Sequence, residues 1–341
     1  MASEYSLDLL WELFAQDSPA GDEGPLADWL ETWVAREVPG ANVQRLGDSL
    51  VVTRGSKPTT AIFAHIDTTG WTLGYDKQLV RIGGPNGKPG DSIRPVRQPD
   101  TGNTLARRKD GTWKVQGKTE APIGSRWVYA AVPALDGDQI TGPYLDNRAG
   151  IWAALHALRE CPEIAVALTV QEETRGIGAQ VCACRLFETH GIQQALISDL
   201  TWDTKHIKRG LGVAVSLRDS SLPRQRYLDR VLALAETSGL PFQREVESSG
   251  GSDGAGIDRS GVPMDWVFIG APEKAPHTAR ERVHTGDLQG MVKMLVHLVN
   301  GLSEAEDNVR AIQDGLDAID AGRVRPFEEY LSEHRQQFPN T

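Results

Sequence analysis

Apolar residues recur at helical spacing from Leu7 to Phe14 and again from Leu26 to Val38, with Asp17, Ser18 and Pro19 between the runs and Gly40 after the second. Two amphipathic helices are predicted to open the chain. The pattern then shortens to β-branched and apolar stretches, Ser49 to Thr53 and Thr60 to His65. The second contains the unbroken run Ala61-Ile62-Phe63-Ala64, as expected of a strand covered on both faces. From Gly70 to about Gln139 glycine and proline punctuate short alternating runs such as Gln78 to Ile82 and Thr112 to Val115, with no helical stripe. Within it, Gly83-Gly84-Pro85-Asn86-Gly87 is not followed by a helix, so it reads as a turn and not as a phosphate loop.

After Asp146 helix and strand patterns alternate. Arg148 to Glu160 reads as helix, Ile164 to Val170 as strand, Gly176 to Glu188 as helix, and Ala195 to Ile197 as a strand ending at Asp199. Strands follow at Leu211 to Leu217, Phe242 to Val246 and Trp266 to Ile269, and helices at Gln225 to Ser238 and Leu288 to Leu302. Ala305 to Gln336 is charged and helical, broken at Pro326, and is expected to pack outside. Such alternation implies an α/β fold, a three-layer sandwich with a mostly parallel central sheet. The expected organisation is a discontinuous catalytic domain over 1–70 and 140–341, with a small inserted β-rich domain over 71–139.

Composition narrows the functions. The 341 residues carry 46 acidic against 36 basic side chains, a formal charge of -10, without long Lys/Arg runs, which argues against a nucleic-acid partner or an anionic membrane surface. Cys161, Cys182 and Cys184 fall in apolar periodic segments and are expected as reduced core residues. No apolar stretch reaches the length of a membrane span, and Met1 to Leu10 lacks a basic flank. A cytoplasmic protein is the expectation.

In an open parallel sheet, binding groups gather beyond the carboxyl ends of the strands. His65 and Asp67, Glu172 and Glu173, and Asp199 each follow such an end, and Asp146 and His277 lie in neighbouring loops. Singly each motif is weak, since an adjacent Glu-Glu is usually a solvated face. Jointly they supply what a two-metal hydrolase needs: a histidine and carboxylates for each ion, one carboxylate to share, and one left over for a proton.

The runs Ala64-His65-Ile66-Asp67, Leu145-Asp146-Asn147-Arg148-Ala149-Gly150, Gln171-Glu172-Glu173, Ser198-Asp199 and His277-Thr278 with Glu281 resemble, in order, the co-catalytic metallopeptidases. The likeness is greatest to the glutamyl and tetrahedral aminopeptidase type, which includes proteins described as cellulases, and extends from about Leu50 to Leu302. The insertion between His65 and Asp146 also favours that branch over carboxypeptidases and aminoacylases, which insert later. The resemblance implies two divalent ions, Zn by default and Co or Mn also suited, with His65 and Asp199 on one, Glu173 and His277 on the other, and Asp146 between. It implies Glu172 as general base toward a metal-bridging water, Asp67 as holder of the His65 ring, and a cis peptide after Asp146. Gly250-Gly251-Ser252-Asp253-Gly254 resembles a substrate-side loop of that branch, giving Gly251, Ser252 and Asp253 as candidate substrate contacts; a helix start capped by Ser252 or Asp253 is the other reading. The activity implied is release of the amino-terminal residue from short peptides by a homo-oligomer, a dimer if the short insertion cannot build a twelve-subunit shell. Thr68 and Thr69, and the sequence around His277, are instead similar to the carboxypeptidase-type relatives. They leave open an amidohydrolase or carboxypeptidase acting on N-acyl amino acids, dipeptides or a specialised amide.

Overall fold

A computed structural model describes residues 4–320, with side chains to residue 304. In chain order the elements are α1 (Asp8–Phe14), α2 (Gly24–Glu37), β1 (Asn42–Leu46), β2 (Ser49–Arg54), β3 (Thr60–His65), β4 (Gly70–Leu73), β5 (Gln78–Ile82), β6 (Ile93–Pro95), β7 (Thr104–Arg107), β8 (Trp113–Gln116), β9 (Arg126–Tyr129), β10 (Ala134–Asp136) and β11 (Gln139–Gly142). There follow α3 (Leu145–Glu160), β12 (Ile164–Thr169), α4 (Ile177–His190), β13 (Gln194–Trp202), β14 (Val213–Ser216), α5 (Gln225–Thr237), β15 (Phe242–Glu245), α6 (Asp253–Arg259), β16 (Asp265–Lys274), β17 (Glu281–His284) and α7 (Thr285–Asp320). The break expected at Pro326 lies outside the described residues.

The main sheet runs β1-β2-β12-β3-β13-β16-β17-β11-β10, with β14 and β15 joined beside β16. Its middle is parallel, β12 with β3, β3 with β13 and β13 with β16. The flanks are antiparallel: the Gly47-Asp48 turn between β1 and β2 can only reverse the chain, and β2 with β12, β16 with β17 and β11 with β17 also pair in opposite directions. The sheet is therefore mixed around a parallel centre. Side-chain alternation splits its core in two. Ile62, Ala64, Val166, Leu168 and Leu196 pack with α1, α2, α3, α5 and α7 on one face, while Ala61, Phe63, Ala165, Ala167 and Ile197 pack with α4 and α6 on the other. Helices thus cover both faces, and the all-buried β3 and β12 explain their continuous apolar runs.

Strands β4 to β9 form a second, antiparallel sheet in the order β6-β9-β4-β5-β8-β7, with its own core around Trp71, Leu79, Ile93, Leu105, Trp113 and Trp127. Strands β10 and β11 belong to the main sheet. The hydrophobic pattern gave no strand at β1, whose residues are all at least partly exposed. Cys161 and Cys182 are buried and Cys184 half-buried, all three as free thiols.

One buried cation ties the opening segment to the sheet edge. Arg148 in α3 is 1 % exposed and donates to the carbonyls of Ile66 and Gln16 and to Ser18 Oγ. Burial pulls its pKa down to about 10. Arg148→Met would take the guanidinium donor from the half-buried Gln16 carbonyl and leave the Ile66 carbonyl to Ser18 Oγ alone, so a loss of about 1.5–3 kcal/mol in unfolding free energy is expected. Urea titration checks this; a loss under about 1 kcal/mol would mean that water replaces the guanidinium.

Candidate metal centre

The register of the central strands determines how the candidate ligands meet. Ile197 pairs with Phe63, so two residues further along both strands Asp199 and His65 stand level and share the face of Phe63. Thr169 pairs with His65 on its other side, and the chain then turns so that Glu172 and Glu173 come back over the sheet edge. Gln171 makes that turn with φ +59, its carbonyl accepting the Arg175 and Gly176 amides. Asp199 does not follow the end of its strand, as the sequence suggested. It lies inside β13, which continues to Trp202 because β16 pairs with it from Gln194 to Trp202.

Two groups of side chains result, joined by one residue. His65, Asp146 and Asp199 offer ligand atoms within 4.8 Å of one another, and so do Asp146, Glu173 and His277. His65 Nε2 lies 3.0 Å from Asp146 Oδ1 and 3.6 Å from Asp199 Oδ1. His277 Nε2 lies 3.3 Å from Asp146 Oδ2 and 3.4 Å from Glu173 Oε2. Each carboxylate oxygen of Asp146 thus serves one imidazole.

The supporting contacts orient both rings for ligation. His65 Nδ1 is 3.1 Å from the Asp67 carbonyl, and His277 Nδ1 is 3.1 Å from the Gly84 carbonyl. A carbonyl only accepts, so a hydrogen bond there puts the proton on Nδ1 and leaves the Nε2 lone pair of the neutral ring facing the group. Asp67 stands at the Nδ1 side of the ring with both its carbonyl and its carboxylate. Its carboxylate stands 3.5 Å from the ring and accepts the amides of Glu172 and Glu173 at 2.9 and 3.1 Å, tying the Glu-Glu turn to the end of β3.

Asp146 opens α3, its peptide bond to Asn147 is cis, and its amide donates to Glu281 Oε2. Asn147 bonds the Ser198 carbonyl and accepts the Gly150 amide. A Cβ at residue 150 would stand 2.0 Å from Asn147 Oδ1, so glycine is required there. His277 has φ +59 and is held from the second sheet, its carbonyl accepting Asn86 N–H and Tyr129 O–H.

The loop before α6 divides in its roles. Ser252 caps α6 through Gly254 N–H and donates to Asp219, so the capping reading holds for that residue. Gly251 lines a small pocket with Leu200, Trp202 and Asp219. Asp253 is 1 % exposed, accepts the Thr169 hydroxyl at 2.6 Å, and keeps its other oxygen without a partner.

The electrostatics of these residues fit divalent cations. Burial pushes the Glu172 carboxyl up to about 8, with Asp199, Asp253 and Asp67 adding to the rise and His65 opposing it. Burial and neighbouring carboxylates likewise raise Glu173, Glu273 and Glu281 well above the usual range. Asp146 goes the other way, since His277 and His65 outweigh its burial. Glu173 Oε1 and Glu273 Oε2 are buried without a partner. A nest of carboxylates with orphaned oxygens and two ligand-ready imidazoles lacks positive charge, which two oxygen- and nitrogen-loving cations would provide.

Comparison with known proteins decides the family. Residues 120–294 match the M42 glutamyl aminopeptidase family. The chain belongs to that family. A putative aminopeptidase of Acetivibrio thermocellus is 25 % identical over 333 residues, covering 88 % of this chain and all of that protein. Among solved structures, an aminopeptidase from the archaeon Desulfurococcus kamchatkensis superposes with a TM-score of 0.75 at 19 % identity, over 86 % of this chain and 93 % of that one. The Pyrococcus horikoshii TET1 peptidase, which can assemble into a tetrahedron or a large octahedral shell, gives 0.72 at 19 % identity, over 86 % and 98 %. As an M42 protein the chain is a hydrolytic exopeptidase, a metal-dependent aminopeptidase.

Sequence reading missed two contributors to this M42 site. The turn at Gly83 and Gly84 looked structural, yet a Cβ on Gly83 would press the Glu173 carbonyl at 3.0 Å and one on Gly84 the His277 ring at 3.3 Å. No local signal could reveal this, since Gly84 and His277 are 193 positions apart. Glu273 is 1 % exposed near Glu281 and Asp146; its place in an apolar strand, Trp266 to Pro272, was the available hint.

Proposed function

We propose that the chain is a dinuclear aminopeptidase that removes the amino-terminal residue of short peptides. The observation that carries this reading is the pair of three-residue groups sharing Asp146. His65 and Asp199 would hold one ion, Glu173 and His277 the other, and Asp146 both, with zinc the default and cobalt or manganese also suited. Bound there, two divalent ions supply Lewis-acid polarisation of the scissile carbonyl and acidify the attacking water. Glu172 is the general base. It belongs to neither ligand group, its amide is fixed by Asp67, and its buried carboxyl is poised to take a proton from water and return it to the leaving amine. The surrounding carboxylates suit a free α-ammonium group. Asp253, with one unpartnered oxygen, is the best supported substrate-side residue of its loop, while Gly251 and Ser252 would shape the wall.

In this reading the second sheet, β4 to β9, is the body of an inserted domain over 71–139, whose last strand β10 already lies in the main sheet of the catalytic domain formed by 1–70 and 140–341. It would help to build the site, as Gly84 and Tyr129 do through His277. A homo-oligomer is proposed by analogy with the TET1 peptidase. Among the described residues no helix is long and apolar enough to cross a membrane, and the cytoplasm is the proposed location. Thr68 and Thr69, which motivated an N-acyl substrate, are both 1 % exposed, and Thr68 pairs with the opening segment at Ser18.

The test is metal-stripped protein, reloaded with Zn, Co or Mn, against peptides with free amino termini and their N-acetylated counterparts. Metal-dependent release of the first residue from free peptides alone is the expected result. Cleavage confined to blocked substrates would overturn the aminopeptidase reading in favour of an amidohydrolase.

A further inference from the structure

The two-strand ribbon that borders the metal centre carries opposite charges on its two faces. Glu273 and Glu281 are buried, while Lys274, Arg280 and Arg282 are exposed. Lys274 and Arg282 sit directly opposite each other in the β16–β17 register. Like charges in facing positions destabilise an antiparallel pair, so folding alone gives no reason for this one. Together with Arg280 and the exposed Lys88 they line a cavity of about 250 Å³. The one acidic side chain of the lining, Asp91, already accepts the Lys88 amide through one oxygen. None of the four cationic side chains makes an ion pair among the described residues, whereas Arg45, Arg94, Arg97 and Arg209 do. The chain as a whole carries a net charge of -10, so the basic lining of this cavity runs against its overall balance.

We propose that this cavity is an anion site, distinct from the metal centre, that takes a carboxylate or phosphate group. Its volume suits one such group with a short tail and not a whole peptide. Lysine and arginine donors converging on one space match the oxygens of either anion. Ala275 and Thr278 of the lining flank His277, so the anion would lie behind the loop that carries a candidate ligand. Its source could be the far carboxylate of the peptide being trimmed or a free anion, and the experiment distinguishes them. Anion binding itself goes beyond the hydrolytic reading and does not require it.

Phosphate binding to the metal-loaded protein is measured by calorimetry, for the parent and for Arg280→Ser/Arg282→Ser. Both arginines are exposed, and circular dichroism verifies the fold of the variant. The expected result is at least tenfold weaker phosphate binding in the variant, with Arg280→Lys/Arg282→Lys recovering most of it. Equal phosphate affinity in parent and variant, as for phosphate held at the metals, would overturn the site, as would no binding to the parent. Turnover of matched peptides with a free or an amidated carboxyl terminus then identifies the source. A lower KM for the free acid, competed by phosphate and lost in the double variant, assigns the site to the substrate. Equal KM values with phosphate binding retained assign it to a free anion.

Discussion

Glutamine in place of Glu172 is expected to leave the protein folded and loaded with two ions while kcat falls by roughly 10²- to 10⁴-fold. The size of the effect follows from what the substitution keeps. Glu172 stands outside both ligand groups, and its amide, which bonds Asp67, is unchanged by the mutation. Only proton transfer is removed. Burial and the neighbouring Asp199, Asp253 and Asp67 already raise this carboxyl, so the neutral amide should be accommodated without a stability penalty. Metal analysis and steady-state kinetics with a free amino-terminal peptide make the check. A fall in kcat with KM nearly unchanged supports a role confined to the transition state. Loss of an ion in Glu172→Gln would instead make Glu172 a ligand and leave the base unassigned.

Much of this centre could be read from the sequence because its parts stand at places where local pattern changes. The apolar run Ala61 to Ala64 gives way to His65, and Ile164 to Val170 gives way to Glu172 and Glu173, so polarity appears where a covered strand ends. Asp199 was harder. It is a charged residue within a nine-residue strand, and only pairing with β16 carries that strand past it. The antiparallel flanks were illegible for a related reason, since strand direction depends on which neighbour a strand meets. What holds His277 was invisible: the Gly84 carbonyl and the Tyr129 hydroxyl reach it from a distant loop and another sheet, where glycine and tyrosine have ordinary structural reasons to be. The buried Arg148 was also unforeseen, because an arginine in a helix normally signals a solvated face.

Alanine at Asp146 tests the centre at its joint. Each oxygen of Asp146 faces a different imidazole, so its loss takes a donor from both groups at once, whereas losing His65 or His277 takes one from a single group. The expected outcome is metal content falling from two ions per chain toward none, with activity reduced on the order of 10³-fold or more, since Lewis-acid stabilisation is worth several kcal/mol. Asp67→Asn provides the scale for a supporting residue. It weakens acceptors for the Glu172 and Glu173 amides without removing a ligand, and about 10- to 100-fold is expected there. Removing the Asp146 carboxylate relieves repulsion on Glu173, Glu273 and Glu281 but also takes the partner that His277 and His65 share, so thermal unfolding of the metal-free variant is compared with that of the metal-free parent. That stability comparison separates a missing ligand from a damaged fold. Elemental analysis that still finds two ions bound to Asp146→Ala would refute the shared-carboxylate arrangement, however little activity remained.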